Sequence, residues 1–512
     1  MEHDHKKHLL VPRPGTDVAT PGGRTRRVMA EVTGDILARA RAQSLGAARV
    51  PVGDYLLRAP DYRQTLHWAE AAGLAPEEVL KRLAWPLSSV EWAVDKYIGF
   101  AVADGAMVGV AWDFDVFPFI PGNWESGLLI RYLGLKGDWP DTATALRPVL
   151  PRLRTLLCGS LGLKLLDLSP VPCLTELYCG DNELAELDLS PVPGLTQLDC
   201  GGNGLTELDL SPVPSLSKLD CACNDLAELD LSPVPGLTEL YCGGNELAEL
   251  DLSPVPGLTE LHCEYNNLTE LDLSSLPRLT ELHCGENELA ELDLSPVPRL
   301  TELHCGDSEL AELDLSPVPG LTELHCGDNE LAELDLSPVP GLIELHCGEN
   351  VLAELDLSPV PSLSKLDCKF NDLAELDLSP VPSLSKLDCE LNNLTELDLS
   401  PVPELTTLVC RSNELSALDL SAVPGLTELH CGRNKLTELD LSPVPGLIEL
   451  HCEGNKLSAL DLSPVPGLTE LHCGWNNLTE LDLSPVPGLI ELGCDEFLRL
   501  RNAPAGLKVI SV

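Results

Sequence analysis

Eight histidines stand in two series with a spacing of 21 residues: His262, His283, His304, His325 and His346, then His430, His451 and His472. A glutamate lies two residues before each member of the first series, from Glu260 to Glu344. Imidazole beside carboxylate is a donor set for transition metals and a pair that senses pH. If units of 21 residues stack as neighbouring strands, the imidazoles form a row about 5 Å apart. A row spreads its donors along a line, whereas metal sites need three or four that converge. The expectation is therefore a solvated or partner-contacting His and Glu face, with no metal and no cofactor. Cysteine follows the same period, since 17 of the 19 lie between Cys158 and Cys494 at intervals of 21, leaving only Cys173 and Cys223 outside. These read as a column of packed thiols, because parallel Cβ vectors in one core make poor disulfides. The one close pair, Cys221 and Cys223, is C-x-C and does not have zinc-ligand spacing. The opening Met1-Glu2-His3, with His5 and His8, has donors for copper or nickel but reads as an ordinary tail.

The charge around these residues is uneven. The 512 residues include 33 Lys and Arg against 81 Asp and Glu, a net charge of −48, with 44% hydrophobic and 4% aromatic residues. This is too apolar for a disordered acidic tail and too negative for a partner held through phosphates, so nucleic acid is not expected to bind. No stretch of 18 apolar residues and no apolar core behind the first charged residues is present, which points to no membrane partner and a cytoplasmic location. Up to residue 150 there are 17 basic and 18 acidic residues, whereas 16 basic and 63 acidic residues follow. Six of the seven Trp lie in the first part, so two regions of different construction meet there.

From Leu153 the chain repeats every 21 residues, as in LTELHCGDNELAELDLSPVPG from Leu321 to Gly341, and sixteen complete units fill 153–488. The consensus LxxLxCxxNxLxxLDLSPVPx closely resembles the bacterial 21-residue leucine-rich repeats of the IRREKO type, over about two-thirds of the chain. The resemblance implies a right-handed solenoid that most often serves as a protein-binding scaffold, and it implies no catalytic residues.

Counting from Leu321 as position 1, strand alternation turns positions 4 and 6 inward and positions 3, 5 and 7 outward. Positions 14 and 16, such as Leu334 and Leu336, repeat the alternation, which predicts a second short strand in each coil. Asn at position 9 is expected to bond the backbone of neighbouring coils, and Ser308, which replaces it once, to weaken that ladder. Asp at position 15 is constant from Asp167 to Asp482. Stacked carboxylates about 5 Å apart repel, and relief must come from raised carboxylate pKa values, from counterions or from backbone hydrogen bonds. If repulsion dominates, salt, calcium and mild acid should stabilise the protein, whereas indifference to salt would mean that the Asp side chains are tied into the turns. Position 8 varies freely and holds Tyr265, Phe370, Leu391 and Trp475, while position 5 holds Tyr178 and Tyr241 as well as the histidines. Exposed aromatics are common anchors of protein interfaces.

The fold class expected is thus a β-rich leucine-rich repeat solenoid, with two short strands per coil and about 16 coils over 151–500, preceded by a mainly α-helical domain. Residues 1–29 read as a flexible tail, 30–150 as a helical capping domain and 501–512 as a C-terminal cap, where Leu507 to Ile510 closes the edge. Helices are predicted near 35–45, 61–72, 76–85 and 90–103, the last with the capping box Ser88 to Glu91. A faint helix-turn-helix pattern at Ala69 and Gly73 is countered by the acidic Glu77 and Glu78. The phosphatase-like DxD of Asp113 and Asp115 lacks the lysine and second acidic cluster such chemistry needs.

These observations point to a non-enzymatic, cytoplasmic, bacterial interaction protein. It would hold a protein or peptide on the first-strand face through Tyr178, Tyr241, Tyr265, His262, His283, His304, His325, His346, Phe370, Leu391 and Trp475. Two alternatives stand beside it: an acidic mimic of nucleic acid that occupies basic proteins, and an enzyme whose chemistry is confined to 30–150. No triad, Gly-rich phosphate loop or HExxH pattern supports the last.

Overall fold

The computed structural model describes residues 154–511 apart from 161 and 170, together with the backbone of four strands between 49 and 111. The expected tail, the helices near 35–45, 61–72 and 76–85, the capping box, the helix-turn-helix pattern and the DxD lie outside the described residues. The chain divides into two compact units, Met1–Leu247 and Ala248–Val512.

In the first unit, β1 (Arg49–Val52) and β2 (Tyr55–Arg58) form an antiparallel hairpin, as do β3 (Gly99–Ala103) and β4 (Ala106–Ala111). β3 occupies the end of the segment expected to be a helix over 90–103, which corrects that expectation. Gly53-Asp54 and Asp104-Gly105 join the paired strands, and such two-residue sequences are the preferred connections of tight hairpins. β4 then pairs in parallel with β5 (Thr155–Leu157), the strand of the first repeat, through Val110 and Leu156. Among the described residues, a strand pairs with the first coil. One three-residue strand follows every 21 residues, up to β9 (Glu239–Tyr241).

The second unit continues the pattern from β10 (Glu260–His262) to β20 (Glu470–His472), all parallel and in register, so that equivalent residues are partners. β21 (Glu480–Asp482) pairs with β23 (Arg499–Arg501), and β22 (Glu491–Cys494) extends the main sheet. β24 (Lys508–Ser511) pairs in parallel with β22.

Each coil closes around the same residues. In the coil from Leu321, Leu321, Leu324, Cys326, Leu331, Leu336 and Val339 are buried and Leu334 nearly so. The two inward alternations are therefore correct, but the second strand is not: among the described coils only Glu480–Asp482 forms one there. The prolines at positions 18 and 20 have no N–H to donate. The chain at that point folds into turns of its own, with Val339 N–H donating to Leu336 O at 3.1 Å and Leu342 N–H to Val339 O at 3.1 Å.

Two side-chain ladders bind coil to coil. Asn329 Nδ2 donates to Cys305 O at 2.9 Å in the preceding coil and to Cys326 O at 3.2 Å in its own, while its Oδ1 accepts Leu310 N–H at 3.0 Å. At Ser308 this pattern fails, and the hydroxyl is buried without a hydrogen-bond partner. The position-2 hydroxyls make the second ladder, as Thr322 Oγ1 donates to Thr301 O at 3.0 Å. All nineteen thiols are unbridged, and those at position 6 are buried. Burial pushes the Cys158 thiol up to about 12.

Candidate functional site

Positions 3 and 5 flank the inward leucine of each strand, so their side chains line one face of the parallel sheet. The histidines are closer than strand spacing alone predicts, because the rings turn flat on one another. Consecutive centroids from His262 to His346 lie 3.9, 3.9, 3.9 and 4.1 Å apart, and His430 stacks on His451 at 4.1 Å. The stacking leaves the imidazoles half-buried.

Each glutamate carboxylate sits between two of these rings. Glu302 Oε1 lies 3.2 Å from His283 Nε2 and 3.3 Å from His304 Nε2, and Glu323 Oε1 lies 3.4 Å from His304 Nε2 and 3.0 Å from His325 Nε2. Burial, reinforced by the neighbouring imidazoles, pushes His283 down to about 3 and His325 to about 4. His346, at the end of the series, is instead raised, first by its hydrogen bond with Asp367. The expectation that a ladder cannot gather donors does not hold. His283, Glu302 and His304 offer ligand atoms within 4.8 Å of one another, as do His304, Glu323 and His325, and His325, Glu344 and His346.

Elsewhere on this face the pairing changes sign. Lys218, Lys365 and Lys386 at position 3 accompany Asp220, Asp367 and Asp388 at position 5. Asp388 is raised to about 6, chiefly by burial and then by Asp367. Tyr178 donates its hydroxyl to Gln197 Oε1 at 2.9 Å, and Lys218 Nζ lies 4.7 Å from the Tyr241 ring centre. Both tyrosines are thus engaged within the sheet and only partly exposed.

Position 8 is different. Its backbone is left-handed in coil after coil, with φ of 54° at Tyr265, 48° at Phe370, 52° at Leu391 and 56° at Trp475. Glycine meets the same need at Gly202, Gly244 and Gly454. A Cβ in this conformation costs about 1 kcal/mol or more, so the bulky residues oppose the backbone that carries them. They are also the most open apolar groups on these turns: Tyr265 is 59% exposed, Trp475 54%, Phe370 45% and Leu391 37%. Sequence reasoning found these residues but not the strain. It also missed Ile343, Ile448 and Ile490, exposed at position 2, where the hydroxyl ladder calls for Thr or Ser.

Trp475 borders a shallow cavity of about 170 Å³ that Arg411, Arg433, Glu453 and His472 also line. Arg411 Nη2 meets Glu453 Oε1 at 3.1 Å. Arg411 Nε and Glu453 Oε2 are buried there without hydrogen-bond partners.

The Asp column is built otherwise than repulsion predicts. Each carboxylate accepts the N–H of the Ser two residues on, at 2.9 Å for Asp188, Asp314 and Asp440 alike. Hydrogen bonds from Ser190 and Ser316 lower Asp188 and Asp314 below the ordinary carboxylate value, and most of the column follows them. Of the three sources of relief, hydrogen bonding into the turn is the one present: local caps outweigh the charge of neighbouring coils.

No protein-family model and no curated protein matches the chain. Among solved structures, the functional domain of InlJ from Listeria monocytogenes, described as including a cysteine ladder, is 38% identical. The match covers 60% of this chain and 69% of that one, with a TM-score of 0.57. YopM from Yersinia enterocolitica is 29% identical over 68% of this chain and 80% of its own, with a TM-score of 0.51. A leucine-rich repeat protein of Leptospira interrogans, 22% identical over 64% of this chain and 91% of its own, shares the fold with a TM-score of 0.59. With its 21-residue coils, its Asn ladder and this likeness to InlJ, the chain belongs to the bacterial leucine-rich repeat proteins.

Proposed function

We propose that this chain is a non-enzymatic scaffold that holds a protein or peptide partner along the ridge formed by position 8. The observation that carries the reading is the set of bulky apolar residues, Tyr265, Phe370, Leu391 and Trp475, kept exposed on a left-handed backbone that glycine would occupy without strain. A fold has no use for that combination, whereas an interface does, since exposed aromatic and large apolar groups supply most of the binding energy of protein contacts. Ile343, Ile448 and Ile490 add exposed apolar surface, and Glu453 Oε2 and Arg411 Nε beside Trp475, neither of which has a hydrogen-bond partner although Arg411 Nε faces Glu390 Oε1 at 4.0 Å, suit a polar group brought by the partner. The strand-face residues His262, His283, His304, His325 and His346 and, in the first unit, Tyr178 and Tyr241 are less suited to anchor a partner, because their rings are stacked or engaged within the sheet and only partly exposed.

A photo-crosslinking residue placed at Phe370 should capture one defined partner that stays bound at about 0.5 M salt, where exposed charge pairs are screened. The same residue at Glu333, on the opposite flank of the coil, should capture none. Replacing Tyr265, Phe370 or Trp475 with Gly should weaken that complex by about 1–3 kcal/mol each. Equal capture from both places, or affinity indifferent to all three changes, would remove the ridge from the argument. Basic proteins released by salt would favour the nucleic-acid mimic instead.

A further inference from the structure

The geometry points to a second property, independent of the ridge: the histidine series bind late first-row divalent cations of the zinc type, one ion between two consecutive histidines and a glutamate.

A tetrahedral ion with bonds of about 2.0–2.1 Å holds its donor atoms about 3.3 Å apart. The carboxylate oxygens of Glu302 and Glu323 already stand 3.0–3.4 Å from the Nε2 atoms on either side. Each nitrogen is therefore at ligand spacing from the oxygen it flanks, and the three donor atoms of each triad lie within 4.8 Å of one another. Two nitrogens in the middle of the first series also lack a hydrogen-bond partner. His304 Nε2 and His325 Nε2 are buried and make no hydrogen bond, although carboxylates lie beside them. Buried polar atoms in that condition call for a reason. An ion between two rings supplies one, because it is drawn to both lone pairs and to the carboxylate at once. The rings have to splay for both lone pairs to reach one ion, and the outer pairs, inclined at 26° and 28°, have begun to do so. Two imidazoles with one carboxylate favour zinc, nickel or copper over calcium and magnesium, which take oxygen ligands alone.

The ladder also determines how many ions fit. Four triads run along the first series, but neighbouring triads share a histidine, so an ion in one excludes an ion in the next. Five histidines thus hold two ions, and the pair His430 and His451 with Glu449 holds one more. The count depends on which histidine is removed. Without His304, the pairs His262 with His283 and His325 with His346 remain, and no ion is lost. Without His283 or His325, only one pair can be used at a time, and one ion is lost.

The test is equilibrium dialysis of the full chain against Zn²⁺ with excess Ca²⁺ present, followed by metal analysis. His283→Gln and His325→Gln should each lose one equivalent relative to the parent, His304→Gln none, and His451→Gln one. Ions held by the N-terminal histidines are common to every variant and cancel. Melting in EDTA should be alike for all variants, and added Zn²⁺ should raise the melting temperature of the parent more than that of the triple variant His283→Gln, His325→Gln and His451→Gln. Co²⁺ in place of Zn²⁺ should give a visible spectrum without thiolate charge-transfer bands. Displacement by Ca²⁺, an equal loss for His304→Gln and His283→Gln, unchanged binding in the triple variant, or thiolate bands would each overturn the assignment.

Discussion

Asp314 accepts the backbone N–H of Ser316 at 2.9 Å, two residues along its own coil. The same turn recurs through the repeats, so the column of carboxylates is a set of local caps before it is a charged surface. That relationship reverses a stability argument. Carboxylates raised by mutual repulsion would bind protons more tightly when folded, and acid would stabilise the protein. Asp188, Asp209, Asp314 and Asp461 are instead lowered by the Ser two residues on. A folded value below the unfolded one means that the unfolded chain binds more protons, so the contribution is present above the unfolded value and is lost as pH falls through the folded one. The melting temperature should fall steeply below about pH 4 and respond weakly to NaCl between about 0.05 and 0.3 M. A melting temperature that climbs in that acid range, or with salt, would restore repulsion as the governing effect.

The single gap in the Asn ladder makes a second test. Ser308 is too short to reach the Leu289 N–H of the preceding coil, the equivalent of the Leu310 N–H that Asn329 accepts, and its hydroxyl is buried without a hydrogen-bond partner. Ser308→Asn should restore one donor group and one acceptor and add about 1–2 kcal/mol to stability, measured by denaturant unfolding. A loss of stability would mean that the neighbouring coils have closed over the gap.

Which parts of this were legible in the sequence follows from their range. The 21-residue period and the inward places of Leu324, Cys326, Leu334 and Leu336 are legible because alternation and spacing carry them. The second strand was overread: Leu334-Asp335-Leu336 alternates, but the same sequence forms a strand only at Glu480–Asp482, where Arg499–Arg501 supplies a pairing partner. The left-handed turn at position 8 was written only in Gly202, Gly244 and Gly454, and the freely varying neighbours concealed it. Asp followed two places on by Ser, the signature of a side-chain-capped turn, is present in every unit, but spacing alone leaves capping and repulsion as alternatives, because only the geometry of the turn decides between them. The convergence of His304 and His325 on Glu323 depends on rotamers and ring stacking, which no spacing rule reports. In the N-terminal region, Asp104-Gly105 between two apolar runs was the signal for the hairpin of β3 and β4.

Position 8 should separate stability from binding. Phe370→Gly removes an exposed ring from a residue with φ of 48°. Relief of about 1 kcal/mol or more of backbone strain is partly offset by the greater freedom of glycine in the unfolded chain, about 0.4–1 kcal/mol. Unfolding free energy should stay level or rise by up to about 1 kcal/mol while the partner is lost. A clear fall in stability would show that the ring packs for the benefit of the fold.

Asp388 tests the electrostatics of the strand face. Burial and the neighbouring Asp367 raise it to about 6, so the folded chain holds this proton more tightly than the unfolded one, whose carboxyl titrates near 3.9. Its charge therefore costs stability at neutral pH, and that cost is relieved as pH falls from about 6 toward 4. Asp388→Asn keeps an acceptor for the Glu390 N–H, which Asp388 bonds at 3.0 Å. Discounting for solvent around a group that is not fully buried, the change should add about 1 kcal/mol at pH 7 and nothing at pH 4. A gain that is the same at both pH values would show that the effect is packing and not charge.

Leu324 sits in the middle of β13 (Glu323–His325), fully buried between the equivalent leucines Leu303 and Leu345 of the coils before and after. In a solenoid each coil is stabilised mainly by its neighbours, so a defect at one interface is felt as a break in cooperativity as well as a loss of free energy. Leu324→Asp removes the apolar contact and buries a carboxylate with no cation inside the coil to meet it, a change worth more than about 4 kcal/mol. Leu324→Ala, which leaves a cavity but no charge, should cost about 2–5 kcal/mol and keep one transition. Calorimetry should therefore show a single lowered peak for the alanine variant and two separated transitions, or a broad one, for the aspartate variant. One sharp transition near the parental temperature for Leu324→Asp would mean that position 4 reaches solvent, and the inward assignment of the strand would have to be reversed.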